Sequence, residues 1–261
     1  MAGDDKGSHS SSGRGSDNPE PKTAGEAIEQ LVWANRILAN ENIFDYLGHV
    51  SVRNPENDHS FFISRGISPA TVTRQDILEV DHEGTVMTRT ERKPYSERII
   101  HGAIYQARPD VRSVVHAHPV PLVTISISEV PVEIVCHPAS VFYEGVPVYD
   151  GYDFTSPNST GMLVQTREEG ERVARTLGSC MAMLMRGHGC NVAGASLPGA
   201  VRNAISLRDN VVILLGARQF GKVRALTYEE AKISARTLSG TERGWDYWVA
   251  RVRKSMPDME K

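Results

Sequence analysis

Residues 113–119 read SVVHAHP and set two histidines two positions apart in a run that is otherwise apolar. In an extended strand successive side chains point to opposite faces, so His116 and His118 share one face and look into the same space. Burying an imidazole in an apolar strand is unfavourable unless its ring nitrogens find partners. One histidine in such a place is most often a hydrogen-bonded core residue. Two together suit a divalent transition metal, which takes neutral imidazole nitrogens converging on one point. The H-x-H pair alone leaves both readings open, and the rest of the chain must decide between them.

A chain of 261 residues with 40% hydrophobic content fits one large domain or two small ones and supports a substantial core. A net charge of −3 and the lack of a Lys/Arg-rich block argue against a nucleic-acid partner. No apolar run approaches membrane-spanning length and no signal peptide is visible, so the expectation is a cytoplasmic protein with no membrane partner. Cys136, Cys180 and Cys190 are too few and too irregular for a disulfide framework or a thiolate zinc cluster.

Residues 1–21 are dominated by Gly, Ser and Asp and are read as a disordered tail. Residues 22–261 form the folded part. The segment from about Thr23 spaces Ile28, Leu31, Val32, Ile37 and Leu38 as an amphipathic helix does. HVSVRN, FFIS and ILEVD read as strands between turn-rich pieces. SERIIHGAIYQARPDV returns to helical period and is closed by Pro109. Further strands are expected at VRSVVHAH, PVEIV, VPVYD and CMAMLMRGHG, followed by a long helix from about Pro198 to Phe220 that stops at Gly221. TYEEAKISARTLSG and WDYWVARVR complete the helices. The pattern predicts an α/β fold, a single α/β/α layered domain with a mostly antiparallel central sheet.

Two other stretches carry candidate chemistry. In MRGHGCNVAG, His188 sits between two glycines at a strand end, where Gly187 and Gly189 allow a tight backbone that presents the imidazole. In PYSERIIHG, Ser96 suits a helix N-cap with Glu97 in the first turn, where an acid complements the helix dipole. His101 follows one turn later on the same helix face.

Together these pieces resemble the class II aldolase and adducin family. The glutamate before a helix, the H-x-H strand after RPDV and the late G-H-G come in that family's order, and the spacing from Glu97 to His116 fits. The resemblance spans roughly residues 24–220. It implies an α/β/α sheet domain, a homotetramer with sites at subunit boundaries, and a divalent metal ion (Zn, Mn or Fe) held by His116, His118 and His188. It also implies Glu97 as the nearby acid or base. Adducin-like members lack these ligands; all three histidines here favour an enzyme. A C-terminal segment often covers the site in the family, although packing against the body is the plainer role for Tyr228, Trp245, Tyr247 and Trp248.

The sequence departs from the sugar-phosphate aldolases of that family where they hold phosphate. The matching pieces read Gly48-His49-Val50-Ser51, Ser64-Arg65-Gly66 and Tyr95-Ser96-Glu97. The tyrosine that aldolases use as a proton donor is missing, and EIVCHPAS with His137 stands in that region. These changes resemble the branch of metal-dependent decarboxylases that act on hydroxylated aromatic or pyridine carboxylates. On that resemblance His49, Ser64, Arg65 and Ser96 bind a small-molecule carboxylate, an arginine being suited to bidentate contact, and Glu97 or His137 returns a proton to the ring. A sugar-phosphate aldolase or epimerase and a non-haem iron oxygenase of the prenyl-hydroxybenzoate type are the alternatives.

Overall fold

Strand alternation sorts the core into two layers, one on each side of a central sheet. The computed structural model describes residues 20–157, 159–238 and 241–260; the tail expected over 1–21 falls almost wholly outside them. The first helix, α1 (Ala24–Asn40), starts at a Thr23–Glu26 capping box and buries Leu31, Ile37 and Leu38, the stripe expected from the sequence. Strands β1 (His49–Arg53), β2 (Ser60–Ser64) and β3 (Ile77–Asp81) follow as a meander. Helix α2 (Arg98–Ala107) leads into β4 (Ser113–Ala117) and the short α3 (Val120–Ser126). Then come β5 (Val148–Tyr149), α4 (Arg167–Leu177), β6 (Ala182–Met185), β7 (Gly189–Gly194) and the long α5 (Leu197–Arg218). Helices α6 (Tyr228–Arg236) and α7 (Thr241–Ser255) close the chain.

The described strands form one sheet in the order β3-β2-β1-β4-β7-β6-β5. On one face Val50, Val52, Val115, Ala117, Cys190 and Val192 pack with α1, α3, α5 and α7. On the other, Phe61, Ile63, Val114, Met183 and Ala193 pack with α2 and α4. The α/β/α layering expected from the sequence is therefore present. The sheet is mixed, which corrects the mostly antiparallel sheet expected: β5 runs parallel to β6. The connection from β5 to β6 carries α4 across the sheet, and such a crossover is what joins parallel neighbours.

Other departures have local causes. PVEIV, expected as a strand, belongs to no strand. Its backbone is satisfied otherwise: Asn210 donates to the Glu133 carbonyl and accepts from the Val135 N–H, and Leu226 N–H donates to Ile134. Helices α3 and α4 and strand β7 went unassigned from the sequence. The capping box Thr166–Glu169 that starts α4 is a signal that was present in the sequence. Among the described residues no helix is long and apolar enough to cross a membrane.

Candidate functional site

The three central strands end together beside the N-terminus of α2. His49 of β1 pairs with His116 of β4, and Ala117 of β4 pairs with Cys190 of β7, so His188 arrives just ahead of β7 at the same end. Two glycines make this approach possible. Gly187 has φ of +66°, the left-handed region that suits glycine. A Cβ on Gly189 would lie 2.3 Å from the Ala117 carbonyl oxygen, so a side chain there would push β7 off β4.

Ser96 does not cap α2. Glu97 itself occupies the cap position and makes no side-chain cap bond. Its carboxylate turns inward instead, where it accepts from the Val164 N–H at 3.0 Å and lies 3.5 Å from His188 Nε2 and 3.7 Å from His116 Nε2. Glu97, His116, His118 and His188 each bring one ligand atom to within 4.8 Å of all the others.

The opposite ring nitrogens settle which atoms converge. His116 Nδ1 donates to Asn191 Oδ1 at 2.8 Å, His188 Nδ1 donates to the Met162 carbonyl at 3.0 Å, and His118 Nδ1 faces Asp45 Oδ1 at 3.4 Å. All three partners are oxygen acceptors, so each histidine carries its proton on Nδ1 and offers a bare Nε2. His116 and His118 bring these lone pairs 3.0 Å apart, an arrangement that repels unless a cation is shared. Burial holds His116 at about 3, with the neighbouring imidazoles adding to the effect against the opposing Glu97 charge. Burial raises the Glu97 carboxyl, but a positive charge shared among the histidines, with the Val164 N–H, outweighs it and keeps Glu97 a carboxylate, at about 2. Three neutral imidazoles and one carboxylate fit a divalent transition metal.

These groups open on a cavity of about 440 Å³ that is also lined by Asp45, Leu47, His49, Tyr95, Ser96, Met162 and Leu163. The rings of His49 and Tyr95 lie 4.6 Å apart, and those of His49 and His116 lie 4.9 Å apart. Tyr95 donates its hydroxyl to the Ile67 carbonyl. A larger cavity, about 680 Å³ between α2 and α4, contains no member of the cluster.

Of the residues singled out in the sequence, His49, Ser96, Glu97, His118 and His188 line the cavity, and His116 lies fully buried against them. Ser64 is buried at the end of β2, and Arg65 gives its Nε to Asp76 at 2.7 Å, a carboxylate that Arg92 also approaches. Neither lines the cavity. His137 is exposed at the start of a 3-10 turn and joins neither the cluster nor the cavity wall. Trp245 packs into the α1/α5 core, and no C-terminal aromatic lines the cavity. Asp45 and Asn191 were missed because their role is to orient histidines far away in sequence, for which no local pattern exists.

Residues 29–215 match the family described as Class II Aldolase and Adducin N-terminal domain. A 3,4-dihydroxyphthalate decarboxylase of Arthrobacter keyseri is 30% identical over 251 residues, covering 89% of this chain and 96% of that protein. The decarboxylase tropJ of Talaromyces stipitatus is 31% identical, covering 71% of this chain and 74% of that one. An L-fuculose 1-phosphate aldolase structure from Glaciozyma antarctica superposes with a TM-score of 0.75 at 24% identity, over 92% of this chain and 96% of that one. That last likeness shows the fold alone. With the family match over most of its length and a histidine-rich cluster at the end of the central strands, the chain belongs to the class II aldolase and adducin family.

Proposed function

We propose that this chain is a metal-dependent lyase that releases carbon dioxide from a hydroxylated aromatic or pyridine carboxylate. The observation that carries this reading is the convergence of three bare Nε2 atoms and the Glu97 carboxylate on a cavity walled by the flat rings of His49 and Tyr95. Leu47, Met162 and Leu163 add apolar surface to the same cavity. Rings and aliphatic groups suit an aromatic substrate better than a sugar phosphate. The similarity to two decarboxylases at about 30% identity supports the same choice.

In this reading His116, His118 and His188 hold a divalent ion. When bound, such an ion supplies Lewis-acid polarisation of an adjacent hydroxyl and carboxylate. Glu97, held as a carboxylate, takes the proton of the substrate hydroxyl. Carbon–carbon cleavage then releases carbon dioxide and leaves its electron pair on the ring. Glu97 returns its proton to that ring carbon, so one proton replaces one carboxyl group and no oxidant is needed. His49 and Ser96 hold the carboxylate that stays. Arg65, with its Nε on Asp76, contributes its charge beside Tyr95 and makes no direct contact. Domain boundaries at residues 22–261 and assembly as a homotetramer complete the proposal.

The test is carbon dioxide release, without oxygen, from a panel of ortho-hydroxy aromatic and pyridine dicarboxylates. The protein is stripped of metal with a chelator and then reloaded with zinc, manganese or iron. Release that needs the ion and is lost in His116→Ala supports the proposal. Turnover only with Fe(II) and dioxygen would replace it with an oxygenase, and cleavage of a sugar phosphate would replace it with an aldolase.

A further inference from the structure

A buried hydrogen-bonded chain runs from His49 in the cavity wall into the body of the protein, and the chemistry proposed above uses only that first member. His49 Nδ1 lies 2.7 Å from His101 Nε2, His101 Nδ1 lies 2.6 Å from Ser51 Oγ, and Ser51 Oγ lies 2.7 Å from the Tyr105 hydroxyl. All four residues are at most 2% exposed. His49 is the only one of them that lines the cavity.

Proton positions along the chain follow from the requirement that buried donors find acceptors. Suppose the donors ran inward from His49. His49 would then give Nδ1–H to His101, His101 would give Nδ1–H to Ser51, and Ser51 would give its proton to Tyr105. The Tyr105 O–H would be left in the core without an acceptor, because the hydroxyl's other partner, the Val114 N–H, can only donate. Run outward, every group is satisfied: Tyr105 donates to Ser51, Ser51 donates to His101 Nδ1, and His101 Nε2–H donates to His49 Nδ1. Both imidazoles must be neutral for this order to hold. Full burial of both rings disfavours a charge on either. Neutral His49 with Nδ1 as acceptor carries its proton on Nε2. Among the described residues that atom has no hydrogen-bond partner and is not sealed from solvent, so it opens on the cavity.

We infer that Tyr105, Ser51 and His101 lock His49 in the tautomer that presents Nε2–H to the cavity, making it a fixed donor for an anionic oxygen of the substrate. An N–H with no acceptor capacity favours a carboxylate or phenolate over a hydroxyl that must itself donate. Tyr105, Ser51 and His101 are positioning residues that set affinity and selectivity through His49. The inference rests on the proposed function only in taking this cavity as the substrate site.

The test uses the full chain, zinc-loaded and labelled with ¹⁵N-histidine, with phthalate as a non-reactive dianionic probe. The His49 signals are those lost in His49→Gln. Expected is a protonated Nε2 and a bare Nδ1 for His49 in the wild type, with phthalate shifting the Nε2 signal. In Ser51→Ala the two tautomers mix and phthalate binds about tenfold more weakly, the loss of one charge-assisted hydrogen bond, at unchanged zinc content. Tyr105→Phe moves both readouts the same way. Should Ser51→Ala not fold, the wild-type spectrum and Tyr105→Phe still decide. A proton on Nδ1 of wild-type His49, or variants with unaltered tautomer and affinity, overturns the inference. Carbon dioxide release with His49 protonated on Nδ1 removes the inference and keeps the proposed function. A locked Nε2–H that binds phthalate, with no release from any substrate of the panel, does the reverse.

Discussion

A single amide decides which nitrogen of His116 faces the cluster. Asn191 accepts the Nδ1 proton and so frees Nε2 toward the cluster. Asn191→Leu removes that acceptor, and we expect a 10–100-fold weaker zinc affinity, roughly, in competition with a chromophoric chelator. Circular dichroism should be unchanged; an unaltered affinity would show that the amide does not set the tautomer. Glu97→Gln keeps the shape of the side chain but removes the proton carrier. It should retain about one zinc per chain while carbon dioxide release falls roughly 10²–10⁴-fold, the range for a lost general acid–base group. A variant that keeps its rate would move the proton to another residue. The clustered histidines were legible because H-x-H and G-H-G are local patterns, and Glu97 because it stands at the head of a helix. Asp45 and Asn191 were not, since an ordinary loop aspartate or strand asparagine is marked only by the ring it faces.

Between elements, the site depends on β7 lying against β4. Gly189 is where this is decided: a Cβ there would meet the Ala117 carbonyl oxygen at 2.3 Å and His118 Cδ2 at 2.8 Å. Gly189→Ala should destabilise the protein by about 1–3 kcal/mol, as overpacking does, and weaken metal binding as well. Thr166→Ala, at the N-cap of α4 and outside the cluster, should cost about 1 kcal/mol with zinc affinity unchanged. Urea unfolding with and without zinc separates the two, and equal effects on metal binding would refute the link between strand spacing and the site. Most elements followed from periodicity. PVEIV misled because its alternation of apolar residues is real, yet a buried asparagine on α5 takes its backbone groups in place of a neighbouring strand.

Over the molecule as a whole, burying three histidines in neutral form ties stability to pH. His101 and His116 have folded values of about 3 against an ordinary 6.5, chiefly through burial, and His49 is also lowered. Between those limits the unfolded chain binds protons that the folded one does not, so stability rises with pH through this window and is lost as pH falls below about 6.5. The melting temperature of metal-free protein should drop steadily from pH 6.5 toward 4, and a flat profile there would contradict the neutral core. The sequence by itself determined the layered α/β architecture, the central strand and which histidines cluster, because hydrophobic alternation and short motifs act over a few residues. Only the tertiary structure decided that β5 joins in parallel, that Glu97 rather than Ser96 stands at the cap of α2 and turns inward, and that His137 and Arg65 stand apart from the cavity. Those outcomes depend on which backbone and side-chain groups are left to satisfy once distant segments pack, and no local pattern encodes that.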